Sequence, residues 1–121
     1  MPPPQHKRKS VRISVTILVD LLTPGSLVSK GRACIVDLSL GGMAVETETV
    51  IDREDELLLR INLPGEKTPQ EVFANAVRIQ KVGNIFRYGL RYSGISFFAK
   101  LRLRNYIHKW IKQQQNKNPG A

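Results

Sequence analysis

Hydrophobic residues recur with a period of two through most of the chain and with a helical period only near its end. Ile13, Val15, Ile17, Val19 and Leu21 alternate with Ser14, Thr16, Leu18 and Asp20, the pattern of a strand with one buried face. Thr23-Pro24-Gly25-Ser26 follows with turn chemistry. A second strand is predicted over roughly Gly31 to Leu38; Gly41-Gly42 breaks it, and a short third strand starts at Met43-Ala44-Val45-Glu46. Leu57, Leu59, Ile61 and Leu63 alternate with Leu58, Arg60 and Asn62 in a fourth strand. Val72 to Ile79 is a fifth, and after Gly83-Asn84 the set Phe86, Tyr88, Leu90 and Tyr92 marks a sixth, with Arg87, Gly89 and Arg91 on its other face.

The period then changes. Ala99, Leu103, Tyr106, Ile107 and Trp110 fall on one face of a helix, with Lys100, Arg104, His108 and Lys112 mostly away from it. Ser93 or Ser96 is placed to cap its start, and Asn118-Pro119-Gly120 to end it. The predicted fold is mainly β: a six-stranded antiparallel β-barrel with a C-terminal α-helix, since closure removes exposed edges. A two-sheet sandwich of six strands fits the same pattern. The expected organisation is one domain, with a flexible basic segment over 1–12, the barrel over 13–94, the helix over 95–115 and a tail over 116–121.

Composition narrows the class. The 121 residues are 41% hydrophobic and 24% charged, ordinary for a soluble globular domain. No apolar run is long enough to span a membrane, and the start lacks the apolar stretch of a secretory signal, so a cytoplasmic location is expected. The lone Cys34, within Ala33-Cys34-Ile35-Val36, reads as a small buried hydrophobe. Charge adds more. The net charge is +9, and the excess sits at the ends: Lys7, Arg8, Lys9 and Arg12 at one, six lysines and arginines after residue 99 at the other, with no acid in either stretch. Such ends favour an anionic partner or serve simple solubility.

The candidate chemistry is narrow. His6 and His108 have no partners at metal-ligand spacing. There is no nucleophile–base pair, no phosphate-cradling glycine loop before a helix and no paired carboxylates in a plausible cleft, so nothing supports an enzyme. Glu54-Asp55-Glu56 reads as a solvated loop. Tyr106 and Trp110 read as core residues; Arg87 and Arg91 share a strand face that could line the site, with an outward solvated face the preferred reading. Two clusters remain: Arg8-Lys9-Ser10-Val11-Arg12, and Asp37-Leu38-Ser39-Leu40-Gly41-Gly42. Asp37 and Ser39, two apart on a strand end, should point to the same side. A carboxylate accepts hydrogen bonds from guanine N1–H and N2–H₂, a hydroxyl donates to a phosphate oxygen, and arginine matches guanine O6/N7 or phosphate. Gly42 allows a close approach of backbone or ligand. Ser39 also fits a turn that bonds its own backbone.

Read as RxxxR followed by DxSxxG, the sequence resembles the PilZ family of cyclic di-GMP receptors, through Arg8 and Arg12, then Asp37, Ser39 and Gly42, and then the Tyr88-Gly89-Leu90-Arg91-Tyr92 strand before a terminal helix. The resemblance covers roughly residues 5–112. It implies a barrel whose N-terminal segment is a flap over cyclic di-GMP. Arg8 and Arg12 would contact guanine and phosphate, and Asp37, Ser39 and Gly42 would face the ligand from the other side. It implies no cofactor beyond that ligand, and a downstream protein partner that answers to the bound state. A ligand-independent protein–protein adaptor is the alternative on the same barrel. A nucleic-acid binder has the net charge but lacks the interleaved aromatic and basic strand pattern.

Overall fold

The computed structural model describes residues 11–117. Six strands form one closed antiparallel barrel: β1 (Ile13–Leu22), β2 (Ser29–Leu38), β3 (Gly42–Thr47), β4 (Glu56–Ile61), β5 (Gln70–Val82) and β6 (Ile85–Gly94), followed by α1 (Phe97–Lys117). The order around the barrel is β1-β2-β3-β6-β5-β4, with β4 pairing back onto β1. Closure rules out the two-sheet sandwich. The elements differ from the sequence expectation mainly at their ends. β2 begins at Ser29, β5 runs on to Val82, and α1 is shifted to 97–117 from the expected 95–115. The expected stop at Asn118-Pro119-Gly120 and the segment 1–10 lie outside the described residues.

The inward set is the one the alternation marks. Val19, Leu21, Ile35, Leu57, Leu59, Ile61 and Val72 are all buried in one cluster with Tyr88 and Leu90. Leu22 and Leu58, cross-strand partners on the opposite parity, are buried as well. Ala99, Leu103 and Ile107 of α1 join the same core, and Tyr106, Trp110 and Ile111 pack against it. Ser96 caps the helix: its hydroxyl accepts from the Ala99 amide at 3.1 Å. Arg102 donates to Glu66 at 2.6 Å, fastening the exposed side of α1 to the loop between β4 and β5. The β5–β6 turn is Gly83-Asn84, with Gly83 at φ +63°, a conformation that suits glycine. Cys34 is only half buried. It lies opposite exposed Leu18 and Glu46, on the outer side of the sheet rather than in the core.

Of the five irregularities in strand pairing among the described residues, three bear on the outer surface. Between Ile35 and Asp37, β2 spends one extra residue against β3. Between Ala76 and Arg78, β5 spends one extra residue against β6. Between Ser14 and Ile17, β1 is out of step with β2. Those in β2 and β5 are bulges that bend the strand and reverse the face on which later side chains emerge, whereas β1 keeps its face, with Ile13 and Ile17 both buried.

One buried tyrosine carries polar weight in the core. The Tyr88 hydroxyl accepts from the Ile51 amide at 2.9 Å and donates to the Thr49 carbonyl at 3.1 Å, holding the β3–β4 loop against the barrel. Tyr88→Phe removes a partner from two backbone groups at once. It is expected to cost about 1–3 kcal/mol, read as a lower urea midpoint with an unchanged slope.

Candidate functional site

An open cleft of about 570 Å³ lies on the outer surface of the barrel. Arg12 and Asp37 line it on one side, the Ser39–Gly42 turn sits at its edge, and Arg78, Arg87 and Arg91 line it from β5 and β6. Arg12 and the DxSxxG segment, far apart in sequence, meet here. Arg12 Nη1 lies 3.2 Å from Asp37 Oδ2, an ion pair and hydrogen bond across 25 residues. Its groups are partly open to solvent, so its net worth is on the order of 1 kcal/mol or less. Asp37 Oδ1 is buried with no hydrogen-bond partner among the described residues. Arg8 lies outside the described residues, so its place relative to Asp37 is not part of this geometry.

Asp37 faces the cleft because of the bulge before it. Ile35 is buried inside the barrel, and simple alternation would turn Asp37 inward as well. The extra residue Val36 reverses the parity, so Asp37 pairs with Ala44 on the outer face while Leu38, opposite Met43, goes into the core. Ser39 is the next surprise. Asp37 and Ser39 were expected to present their polar groups together, but Ser39 is 3% exposed. Its hydroxyl donates to the Gly42 carbonyl at 3.1 Å and accepts from the amides of Gly41 at 3.2 Å and Gly42 at 3.3 Å. The Ser39 amide also donates to the Gly42 carbonyl, at 3.0 Å. This hydroxyl is occupied in shaping the turn, the self-bonding arrangement that Ser before Gly-Gly permits. Tyr92 secures the turn from the other side: its hydroxyl donates to the Ser39 carbonyl at 3.0 Å and its amide to the Gly41 carbonyl at 3.2 Å. Burial pushes the Tyr92 phenol well above its ordinary range, which keeps it a donor.

Gly42 is required by backbone contact rather than by φ. A Cβ there would run into the Leu90 carbonyl oxygen and lie 3.2 Å from the Arg91 Cα. The absent side chain lets β3 start directly against β6, where Gly42 pairs with Arg91.

The cleft is more basic than the motifs alone imply. Arg87 and Arg91, expected on a solvated outward face, do point outward, but they line the cleft. Arg87 reaches Glu46 at 3.9 Å, while Arg78 and Arg91 pair with no carboxylate among the described residues. Arg78 had no sequence signal. Alternation from Val72, Ala74 and Ala76 would place it inside. The extra residue in β5 instead brings it opposite Gly89, on the same face as Arg87 and Arg91. A hint for the other two was available: a glycine flanked at two residues on either side by arginines, on the outward parity of β6.

Among the described residues no group of three His, Cys, Asp or Glu is placed to hold a metal, and no helix is long and apolar enough to cross a membrane.

Comparison with known proteins agrees with this geometry. The family profile described as PilZ domain matches residues 6–109. Among solved structures, the inhibitor of motility MotI/DgrA from Bacillus subtilis is 24% identical, with a TM-score of 0.72 over 97% of this chain. The chain spans 58% of that protein's length. The PilZ domain of YcgR from Escherichia coli, solved with c-di-GMP, is 18% identical, with a TM-score of 0.71 over 96% of this chain and 100% of that one. MrkH from K. pneumonia in its apo state gives a TM-score of 0.71 at 12% identity, covering 98% of this chain and 56% of that one. At these identities the structures speak for the fold alone. No curated protein sequence matches the chain. A profile match over most of its length, on a closed six-stranded barrel whose cleft joins Arg12 to the DxSxxG segment, makes this chain a member of the PilZ domain family.

Proposed function

We propose that the protein is a receptor for cyclic di-GMP, a binding module rather than a catalyst, which reports the ligand to a protein partner. The observation that carries this reading is the meeting of Arg12 and Asp37 beside the Gly41-Gly42 turn in one basic cleft. Cyclic di-GMP carries two phosphates and two guanines. The phosphates and the guanine O6/N7 edges need donors, which the arginines supply. The guanine N1–H and N2–H₂ need an acceptor, which Asp37 supplies. Its second carboxylate oxygen is buried with no partner among the described residues, so a guanine donor that reached it would supply the bond it lacks. The YcgR domain that shares this fold was solved with the same ligand.

In this reading Arg8 and Arg12 clamp the ligand from the N-terminal segment. The surface made by segment and ligand together is what the partner recognises. Ser39 and Gly42 act mainly by setting the turn that gives the cleft its edge.

Titration calorimetry against cyclic di-GMP, with GTP and cyclic di-AMP as controls, tests the reading. Cyclic di-GMP is expected to bind and cyclic di-AMP to bind far more weakly, because adenine lacks O6 and turns an amino donor toward the arginines. Equal affinity for the two would remove guanine reading from the site. Arg8→Ala and Arg12→Ala are each expected to weaken binding by about 1.5–3 kcal/mol, and Asp37→Ala to do so while leaving circular dichroism unchanged.

Gly42→Ala should behave differently. Its methyl meets the Leu90 backbone, so it is expected to destabilise the fold by about 1–3 kcal/mol in the absence of any ligand. Thermal denaturation of the free protein reads this directly; an unchanged midpoint would return Gly42 to a purely ligand-facing role. Finally, amide hydrogen exchange across residues 5–12 is expected to slow when cyclic di-GMP is added. Exchange that stays the same would separate the partner-facing signal from that segment.

A further inference from the structure

The register of the barrel assigns a second, distal half to the ligand cleft. One row of paired residues runs across the outer face: Asp37 on β2 is opposite Ala44 on β3, Ala44 is opposite Gly89 on β6, and Gly89 is opposite Arg78 on β5. Paired residues in an antiparallel sheet emerge on the same side, so a carboxylate and a guanidinium bracket a floor made of one methyl group and one bare backbone. Three strand spacings separate them, up to about 14 Å along the curved surface. Arg91, in the row that starts at Gly42, lines the same end of the cleft from one side.

We infer that a single cyclic di-GMP molecule spans this row, with Arg78 and Arg91 holding the half of the ligand that Arg12 and Asp37 do not reach. The inference rests on the cyclic di-GMP reading above and adds residues that neither motif contains. Asp37 can serve only the donor edge of one guanine. The remainder of the ligand, its phosphates and the O6/N7 edge of the second guanine, offers acceptors. Arg78 and Arg91 are the cleft arginines with no carboxylate partner among the described residues. The floor between them suits a flat ligand, since any larger side chain at Ala44 or Gly89 would stand up in its path. Gly89 also makes room for Arg78: a Cβ there would lie 3.2 Å from the Arg78 Cβ.

Titration of the full chain with cyclic di-GMP decides it, using Arg78→Ala, Arg91→Ala and, as a charge control, Arg104→Ala on the exposed side of α1. Wild type is expected to bind one ligand per chain. Arg78→Ala and Arg91→Ala should each lose at least tenfold in affinity at unchanged stoichiometry, and Arg104→Ala should stay within twofold. Arg78 and Arg91 are exposed, so circular dichroism of both variants should match wild type. If wild type binds but the two variants bind equally well, the distal half is wrong and the receptor reading stands. If wild type binds two ligands and Arg78→Ala binds one, the arginines serve a second molecule, and the spanning arrangement is overturned. If wild type shows no binding, the receptor reading fails and this inference with it.

Discussion

Closing six strands on themselves forces each strand to bend, and the bending is concentrated at bulges. The extra residues before Asp37 and Arg78 are two of these. Each reverses the parity of its strand at a point where the preceding residues are core, so each takes a charged side chain that alternation would bury and turns it out. The same backbone events that let β2 and β5 follow the curve of the barrel therefore create the two ends of the cleft. The cost of burying an unpaired carboxylate or guanidinium is large, several kcal/mol even after relaxation. The hydrophobic pattern and the bulges are thus mutually enforcing: a barrel without the bulges would bury both charges.

The turn between β2 and β3 is the second fixed point. Ser39, Gly42 and Tyr92 tie it together with six hydrogen bonds. The backbone contact at Gly42 presses β3 against β6. Two of the three residues in the DxSxxG segment thus shape the fold, and the third, Asp37, pairs with Arg12 and keeps a buried oxygen with no partner among the described residues. In this chain Ser39 and Gly42 shape the edge of the cleft, and its positive charge comes from Arg12 just before β1 and from the arginines of β5 and β6.

Much of this was legible in the sequence, for physical reasons that also explain what was not. The alternations around Val19 and Leu59 and the helical stripe of Leu103 and Ile107 report burial directly, so the six strands and the helix were readable within a few residues at their ends. The joining of Arg12 with Asp37 was readable from motif resemblance. Bulges leave no mark in a hydrophobic pattern, because they are set by pairing with a neighbouring strand. Arg78 was therefore invisible, the side chains of Asp37 and Ser39 were wrongly expected to act together, and Cys34 was placed inside. Arg87 and Arg91 were correctly read as outward. What the sequence did not reveal is that residues of β2, β3, β5 and β6 line one cleft there, since that depends on which strands pair.

In the proposed receptor the ligand is read on the outside of the barrel, while the core and the buried face of α1 hold the fold together. The most direct measurement is backbone amide chemical-shift mapping of the full chain with and without cyclic di-GMP. Shifts concentrated in Asp37–Ala44, Val77–Gln80 and Arg87–Arg91, with the Ile107–Lys112 part of α1 unmoved, would place one ligand across the β2-β3-β6-β5 face. Shifts confined to α1 or to the Arg60–Glu71 side, with the Asp37–Arg78 row silent, would contradict it.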